Sequence, residues 1–423
     1  MKINLYKNIT INILDYLFLI LLVITSSRIV INSLGEELYG LYSTINVLLS
    51  MTMLIESGVG LAVVHFISNV QKYKTNVPDI IGSALIFYIL ISLVLIFASI
   101  LYHDNIVSYL TDTSTQHNVD MVSEISYLLP YIILSSLLCI PFTNYFVSNS
   151  QWLSISILNN SSKLIYLFLL FLAVDNQTDS LINIFYLLLG TNLLKLIISF
   201  ILYFKNELKI SFNNLFSQIK LILSYSKYSS LQLFSAVSIF YLDKLYIKEY
   251  FSLADMGYFT FCFMFGTYIH SLYNNVYRTF FPKFLQESST SHKVTLLFRT
   301  LIFFFLGSII VSLISYYFWE TIIGLLINKN FANMTLNIFA YVLILSNIRI
   351  LEIGFHYFYH GIGKPKILAI VSFITSISLL LLYSPFISFF GIIGTLVSQI
   401  IIFSFIYFIL TIYTLWNFKW KNT

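Results

Sequence analysis

The chain has few charged residues and few cysteines. Only 10% of its 423 residues are Asp, Glu, Lys or Arg, while 58% are hydrophobic, and this composition excludes an ordinary soluble domain. Its two cysteines, Cys139 and Cys262, both lie in apolar segments and far apart. They therefore do not form a metal-ligand or redox pair, and we predict that each is a small packing residue.

Motifs for nucleotide or hydrolytic chemistry are also missing. The sequence has no Walker-type glycine loop, no H-E-x-x-H and no G-x-S-x-G, which are the arrangements that those chemistries need. No connection between the apolar segments is long enough to hold a nucleotide-binding or catalytic domain. We therefore expect a protein that is not an enzyme, does not hydrolyse ATP, and has neither a metal site nor a cofactor.

Apolar stretches of membrane-spanning length follow one another along the chain. A helix needs about 20 apolar residues to cross the hydrocarbon core, and backbone groups in lipid must be hydrogen-bonded within a helix or a closed barrel. The stretches are too long and too weakly alternating for barrel strands, so we predict an all-α membrane protein with about twelve spans. The predicted spans are residues 9–33, 38–69, 79–102, 122–147, 151–174, 180–204, 221–248, 254–281, 296–322, 333–360, 366–388 and 391–416.

Basic residues are concentrated in every second connection between these spans. The opposite connections clearly hold only Lys329, with Lys248 at a helix end. By the positive-inside rule the basic side is cytoplasmic, which places both termini in the cytoplasm. The net charge of +5 is spread around this rim, so it predicts topology and not nucleic-acid binding. The residues on the basic side are Lys2, Lys7, Lys72, Lys74, Lys205, Lys209, Lys220, Lys227, Lys283, Lys293, Arg299, Lys364, Lys366, Lys419 and Lys421.

Two segments in corresponding positions indicate an internal repeat. Residues 28–42 read RIVINSLGEELYGLY and residues 244–259 read KLYIKEYFSLADMGYF. Each has a basic residue near the outer end of a helix, then an acidic residue, then a glycine beside an aromatic residue. They fall at the first and seventh spans, where a parallel repeat of six helices would place them. The alternative is that turn residues simply recur in short loops.

The repeat predicts two six-helix bundles, over residues 1–208 and 209–423. The second bundle is preceded by a cytoplasmic link over about residues 209–220. Apolar residues alternate with polar ones in this link, at a spacing that predicts a short amphipathic helix on the membrane surface. These apolar residues are Ile210, Phe212, Leu215, Phe216 and Ile219.

Short motifs carry a resemblance that extends over nearly the whole chain. They are LGEELYGLYSTINVLLSMTMLIESGVGLAVVHFISN, LDKLYIKEYFSLADMGYF, FFPKF, GIGKPK and FGIIGTLVSQI. In this order they resemble Wzx-type O-antigen and polysaccharide flippases of the multidrug/oligosaccharidyl-lipid/polysaccharide (MOP) exporter superfamily. The resemblance implies a MATE-like fold, with two six-helix bundles around a central cavity that opens alternately to each side of the membrane.

The resemblance also implies a function. The protein would lie in the bacterial cytoplasmic membrane and translocate undecaprenyl-pyrophosphate-linked oligosaccharide repeat units from the cytoplasmic to the outer leaflet. The product would be O-antigen, capsule or exopolysaccharide. Besides this cargo and the membrane lipids, a polysaccharide polymerase and the chain-length machinery are expected partners.

Two other functions stay open at the level of sequence. A MATE-like drug/cation antiporter would want acidic residues to dominate its cavity, whereas the charges within the present spans lean basic. A membrane polysaccharide polymerase or glycosyltransferase usually needs a sizeable outer loop with paired acidic residues. No outer loop here is large, and none has D-x-D spacing.

Ionisable residues within the spans are the candidate functional residues, because each costs about 2.5–3.5 kcal/mol at a helix centre. Polar stripes on the tenth and eighth spans should line a wet interior. The alternative on the tenth span is an internal Arg349–Glu352 ion pair that only orients helices. The stripes comprise Ser346, Arg349, Glu352, His356 and His360 on the tenth span, and Thr267, His270, Ser271, Asn274 and Arg278 on the eighth.

We assign roles to these residues by the sign of their charge. A pyrophosphate headgroup is anionic, and Arg and Lys side chains match phosphate oxygens. A carboxylate that takes up H⁺ or Na⁺ could couple transport to an ion gradient. The predicted cargo-binding residues are Arg349, Arg278, Lys163, His356, His360 and Asn274; the coupling candidates are Asp15, Glu56 and Glu352; and the structural or gating residues are Arg28, Gly40, Asp243 and Gly257.

Overall fold

The computed structural model describes residues 2–50, 53–68, 70, 76–111, 116–149, 151–173, 180–205, 209–224, 226, 235, 241–278, 290–362 and 364–417. These residues are almost entirely helical, and none of them forms a β-strand. The prediction of an all-α membrane protein is therefore confirmed, while the orientation of the termini stays a prediction. Seven described segments are long and apolar enough to cross a membrane: Val77–Leu101, Val119–Ser148, Leu153–Leu172, Leu181–Lys205, Ser291–Leu326, Lys329–His360 and Lys366–Leu415.

The chain folds into two compact units. The N-terminal unit is Leu17–Phe234, and the C-terminal unit is Ser235–Thr423 together with Met1–Tyr16. The helices up to residue 224 are α1 (Lys2–Ser50), α2 (Met53–Ser68), α3 (Val77–Leu101), α4 (His103–Thr111), α5 (Gln116–Ser148), α6 (Trp152–Ala173), α7 (Ser180–Lys205) and α8 (Leu215–Ser224). The later helices are α9 (Leu242–Tyr250), α10 (Leu253–Arg278), α11 (Thr290–Leu326), α12 (Lys329–Gly361), α13 (Pro365–Phe390), the 3-10 turn Gly391–Ile393 and α14 (Gly394–Leu415).

The first two predicted spans are joined in one helical stretch with a single break. Inside α1, Gly35 has φ 75° and ψ 177°, and glycine is the residue that adopts a positive φ without strain. A side chain at this position would meet nothing within 4 Å, so the requirement for glycine is conformational and not steric. The expected loop between residues 33 and 38 is thereby reduced to a one-residue interruption.

Helix α5 lies at the centre of the N-terminal unit. It packs against α2, α3, α4, α6 and α7, and 61% of its apolar window is buried, compared with 22% for α3 and 17% for α6. Its aromatic side chains interlock with those of α7: the rings of Phe142 and Tyr145 both lie 5.2 Å from the ring of Tyr203, edge to face. Lipid is as apolar as these side chains, so close packing, rather than escape from water, holds the helices together.

Helix α12 occupies the corresponding place in the C-terminal unit. It packs against α10, α11, α13 and α14, and 61% of its apolar window is buried. Trp319 of α11 stacks on Phe339 with ring centroids 3.6 Å apart, and its indole N–H donates to the Thr335 hydroxyl at 3.1 Å. The sulfur of Cys262 lies 3.5 Å from the Thr335 carbonyl. Cys262 and Cys139 are both buried, as expected of packing residues.

The contact between α10 and α12 depends on Gly266. A Cβ atom added there would lie 2.5 Å from Cγ1 of Val342 and 2.8 Å from the Ser346 hydroxyl. We expect Gly266→Ala to destabilise the purified protein by about 1–3 kcal/mol, because overpacking forces neighbours to move. The measurement is thermal unfolding in detergent. Gly190→Ala is the control: no atom would lie within 4 Å of its Cβ, so a lower stability for Gly190→Ala than for Gly266→Ala would contradict the packing argument.

The link after α7 is only partly helical. Residues 209–212 have no regular structure, and α8 begins at Leu215. The Ser211 amide donates to the Pro78 carbonyl at 3.2 Å, which ties the link to the start of α3. Phe216 is 92% exposed and Phe212 is 55% exposed, an arrangement suited to the predicted membrane surface. The link belongs to the N-terminal unit. The prediction that each half of the chain contains six membrane-spanning helices stays a prediction.

Candidate functional site: a charged core in the C-terminal unit

A carboxylate and an ammonium group are buried side by side in α9. Asp243 is fully buried and Lys244 is 4% exposed. Lys244 Nζ lies 3.2 Å from Asp243 Oδ1 and 3.6 Å from the ring centroid of Phe263. Gln399 of α14 donates from Nε2 to Asp243 Oδ2 at 3.1 Å and to the Tyr383 hydroxyl at 3.2 Å. The pair is thus enclosed by an aromatic face and an amide, an arrangement that compensates the desolvation of both charges.

Arg349 is the second buried cation of this unit. It is 3% exposed, its Nε lies 3.5 Å from Glu352 Oε2, and its guanidinium carbon lies 5.7 Å from the ring centroid of Phe403. It lines a small cavity with Gly266, Thr267, His270 and Ser346 among its neighbours, and the cavity volume is about 10 Å³. That is space for about one water molecule, so a phosphate group does not fit beside Arg349 in this conformation.

The stripe on α12 becomes more accessible toward the C-terminal end of the helix. The Glu352 side chain is 35% exposed, and His356 is exposed. The imidazole rings of His356 and His360 lie 4.5 Å apart. The Tyr357 hydroxyl donates to Asn274 Oδ1 of α10 at 3.1 Å. The structure therefore places Arg349, Glu352, His356 and His360 along one face of α12, which we call the polar path, and links α12 to Asn274 of α10 through Tyr357.

The other predicted residues lie elsewhere or cannot be placed. Lys163 is half-buried on α6 of the N-terminal unit, and Arg28 is exposed on α1. Gly40 and Gly257 are both buried in helices. The side chains of Arg278, Asp15 and Glu56 lie outside the described residues.

Two side chains next to the buried Asp243–Lys244 pair were not predicted from the sequence. Gln399 donates to the Asp243 carboxylate and to the Tyr383 hydroxyl. Gln399 stands in the motif FGIIGTLVSQI, but the sequence analysis assigned it no role. An amide in an otherwise apolar span was the available signal, because polar side chains in lipid are expensive. Among the described residues, no three His, Cys, Asp or Glu side chains are grouped so that they could hold a metal ion.

These features define a helical membrane protein with the fold of MOP-superfamily transporters. An inward-facing multidrug-resistance MATE transporter is similar at a TM-score of 0.74 and 12% identity, over 93% of each chain. The lipid II flippase MurJ, in an inward closed conformation, is similar at 0.74 and 15%, over 96% of this chain and 87% of that one. A MOP-superfamily transporter from Pyrococcus furiosus, described by the reverse polarity of its binding pocket, is similar at 0.67 and 14%, over 97% and 94%.

The sequence also places the chain in a family. The model of the polysaccharide biosynthesis protein family matches residues 5–287, which is more than half of the chain, and the protein belongs to this family. The resemblance to a polysaccharide family with the fold of the MOP superfamily is thereby confirmed. No curated protein sequence matches the chain significantly.

Proposed function

We propose that this protein is a flippase for undecaprenyl-pyrophosphate-linked oligosaccharides, moving repeat units from the cytoplasmic to the outer leaflet of a bacterial inner membrane. The observation that carries the proposal is the polar path on α12, where Arg349, Glu352 and two histidines line one face of an otherwise apolar helix. Ionisable residues at membrane depth usually mark a transport pathway. Membership of the polysaccharide biosynthesis family supports a cargo that carries saccharide.

The geometry supports an order of contacts along this path. The accessible end, with His356 and the Tyr357–Asn274 hydrogen bond, is the end that a headgroup meets first. Arg349 lies deeper, beside a cavity for about one water. In the proposed cycle, α10 and α12 separate as the pyrophosphate moves inward, which opens the space next to the Arg349 guanidinium. The prenyl tail stays in lipid while the saccharide crosses the interior.

Glu352 gives the cycle a means of coupling to an ion gradient. Its carboxylate would repel a pyrophosphate, and it holds the guanidinium of Arg349 at 3.5 Å. Uptake of H⁺ or Na⁺ at Glu352 neutralises that charge and releases Arg349 to the phosphate oxygens, for which guanidinium has matching geometry. Asp15 and Glu56 remain further coupling candidates from the sequence. A polysaccharide polymerase and the chain-length machinery are the partners that would take over the product.

The experiment for this proposal is mass spectrometry of lipid extracts from cells that lack the protein, in a strain without a second flippase. We expect undecaprenyl-pyrophosphate oligosaccharide to accumulate and surface polymer to be lost, because synthesis continues while export stops. A plasmid carrying the wild-type gene should reverse both effects. An unchanged lipid-linked pool with normal surface polymer would reject the proposal and favour a drug/cation antiporter.

A further inference from the structure

Helix α5 carries a narrow exposed strip of polar residues that differs from the apolar exposed surface of its neighbour α3. Between Asp120 and Tyr131 the exposed residues are Asp120, Glu124, Tyr127 and Tyr131, spaced by four, three and four positions so that they lie on one face. We call these four residues the α5 strip. All four carry a carboxylate or a hydroxyl group, although α5 is among the most deeply buried helices of the protein.

The neighbouring helix α3 shows what a lipid-facing surface of this unit looks like. Its exposed side chains include Leu90, Leu93, Val94 and Phe97, each more than half exposed and all apolar. A carboxylate among such residues would be penalised in hydrocarbon. The contrast indicates that the α5 strip faces an aqueous or polar medium and not acyl chains.

The strip is held in place by side chains from two other helices. The Tyr186 hydroxyl of α7 donates to Glu124 Oε1 at 2.9 Å. His103 of α4 stacks on the ring of Tyr127, with centroids 4.1 Å apart and an interplanar angle of 18°. The two His103 nitrogens lie 3.1 and 2.8 Å from the hydroxyl oxygens of Ser123 and Ser126. One ring and one carboxylate of the strip therefore have fixed positions, while Tyr127 is still 54% exposed.

We infer that the α5 strip is a binding site for the saccharide part of the cargo, an inference that rests on the function proposed above. Exposed tyrosine rings offer apolar faces that can cover the C–H faces of sugar rings, together with hydroxyl groups for hydrogen bonding. An ionised carboxylate accepts hydrogen bonds at two oxygens, which suits adjacent hydroxyl groups of a sugar. The segment 103–121 contains no Lys or Arg, so it offers no cation for a phosphate group.

The competing explanation is an aromatic belt, because tyrosines are enriched where membrane proteins meet lipid headgroups. Photo-crosslinking in living cells distinguishes a saccharide-binding site from an aromatic belt. p-Benzoyl-phenylalanine is placed at Tyr131 and, as a control, at Phe97, which is 64% exposed on the apolar surface of α3. We expect the adduct at position 131 to contain hexose or hexosamine units and that at position 97 to contain only acyl lipid. Phospholipid alone at position 131 would overturn the inference.

Variants supply a functional readout in the deletion strain. Tyr131→Leu and Glu124→Gln should each reduce export about three- to tenfold, in line with the loss of an aromatic contact or a charge-assisted hydrogen bond. Tyr102→Leu is the control, since Tyr102 is also exposed (61%) but lies off the strip. Equal export by the Tyr131 and Tyr102 variants would favour the belt. If the deletion strain accumulates no lipid-linked saccharide, the proposed function itself is wrong. If lipid-linked saccharide accumulates in the deletion strain but the Tyr131→Leu variant exports normally, only the proposed saccharide site is wrong.

Discussion

Replacing Arg349 by methionine together with Glu352 by glutamine is expected to give a folded protein that no longer exports its cargo. This ion pair is buried on the Arg349 side, while the Glu352 side chain is 35% exposed, and replacing both partners of such a pair by uncharged residues of similar volume often costs little stability. The double change therefore retains the packing of α12 while removing both the cation and the carboxylate proposed above for ion coupling. We expect export to fall at least about tenfold, which corresponds to the free energy of one hydrogen bond to a charged group. The measurement is the size of the lipid-linked oligosaccharide pool when the variant is expressed in the deletion strain.

The double variant distinguishes a role of the Arg349–Glu352 pair in transport from a role in stability, which Arg349→Ala would not do. The alanine change leaves a void and deprives Glu352 of the guanidinium at 3.5 Å, so its loss of export would have a structural explanation as well. Arg299→Met is the matched control, because Arg299 is an exposed cation on α11 of the same unit. Normal export by the Arg349→Met/Glu352→Gln protein would mean that the pair only orients helices.

Replacing Asp243 by alanine is expected to cost the largest amount of stability of any single change considered. Asp243 is fully buried, pairs with Lys244 at 3.2 Å and accepts a hydrogen bond from Gln399 at 3.1 Å. Removing one partner of a buried pair destabilises by about 3–5 kcal/mol, because the remaining charge stays desolvated. Thermal unfolding in detergent, and the yield of monodisperse protein, measure the effect.

Asp255 provides the comparison for this change. It forms a capping box with Ser252 at the start of α10: the Ser252 hydroxyl donates to Asp255 Oδ2 at 2.7 Å and accepts from the Asp255 amide at 3.1 Å. Asp255→Ala should cost about 1 kcal/mol, the usual value for a lost cap. Asp243→Asn combined with Lys244→Met should recover most of the stability that Asp243→Ala loses. Equal stabilities for Asp243→Ala and Asp255→Ala would contradict the role of the buried pair.

The positions of the helices could be predicted from the sequence because membrane thickness sets a length that a one-dimensional apolar run must match. The span predicted at residues 79–102 is the helix Val77–Leu101, and that predicted at 333–360 lies within Lys329–Gly361. The backbone at Gly35 was harder to predict, since charged residues beside a glycine are equally compatible with a loop and with a one-residue break in a helix.

The candidate site was predictable only where it follows a helical period. Arg349, Glu352, His356 and His360 share a face of one helix, so their proximity is encoded by local spacing. The partner of Asp243 is different, because Gln399 lies 156 residues further along the chain. No local pattern connects them, and the contact depends on how α9 and α14 pack.

The α5 strip was missed for another reason. With 31 tyrosines in the chain, residue type alone does not distinguish Tyr127 or Tyr131 from the others. Their exposure on a largely buried helix distinguishes them, and exposure is a property of the folded unit. The hydrogen bond from Tyr186 to Glu124 is likewise a contact between helices that are distant in sequence.

The uneven burial of the helices has a consequence for how such sequences diverge. In α3, α6 and α7, no more than 22% of the apolar window is buried, and a surface in contact with acyl chains requires only that its residues be apolar. Leu, Ile, Val and Phe can replace one another there at little cost over evolutionary time. Sequence drift on lipid-facing surfaces therefore accounts for identities of only 12–15% with proteins of the same fold. In alignments of close relatives, we expect substitutions to be slowest on α5 and α12.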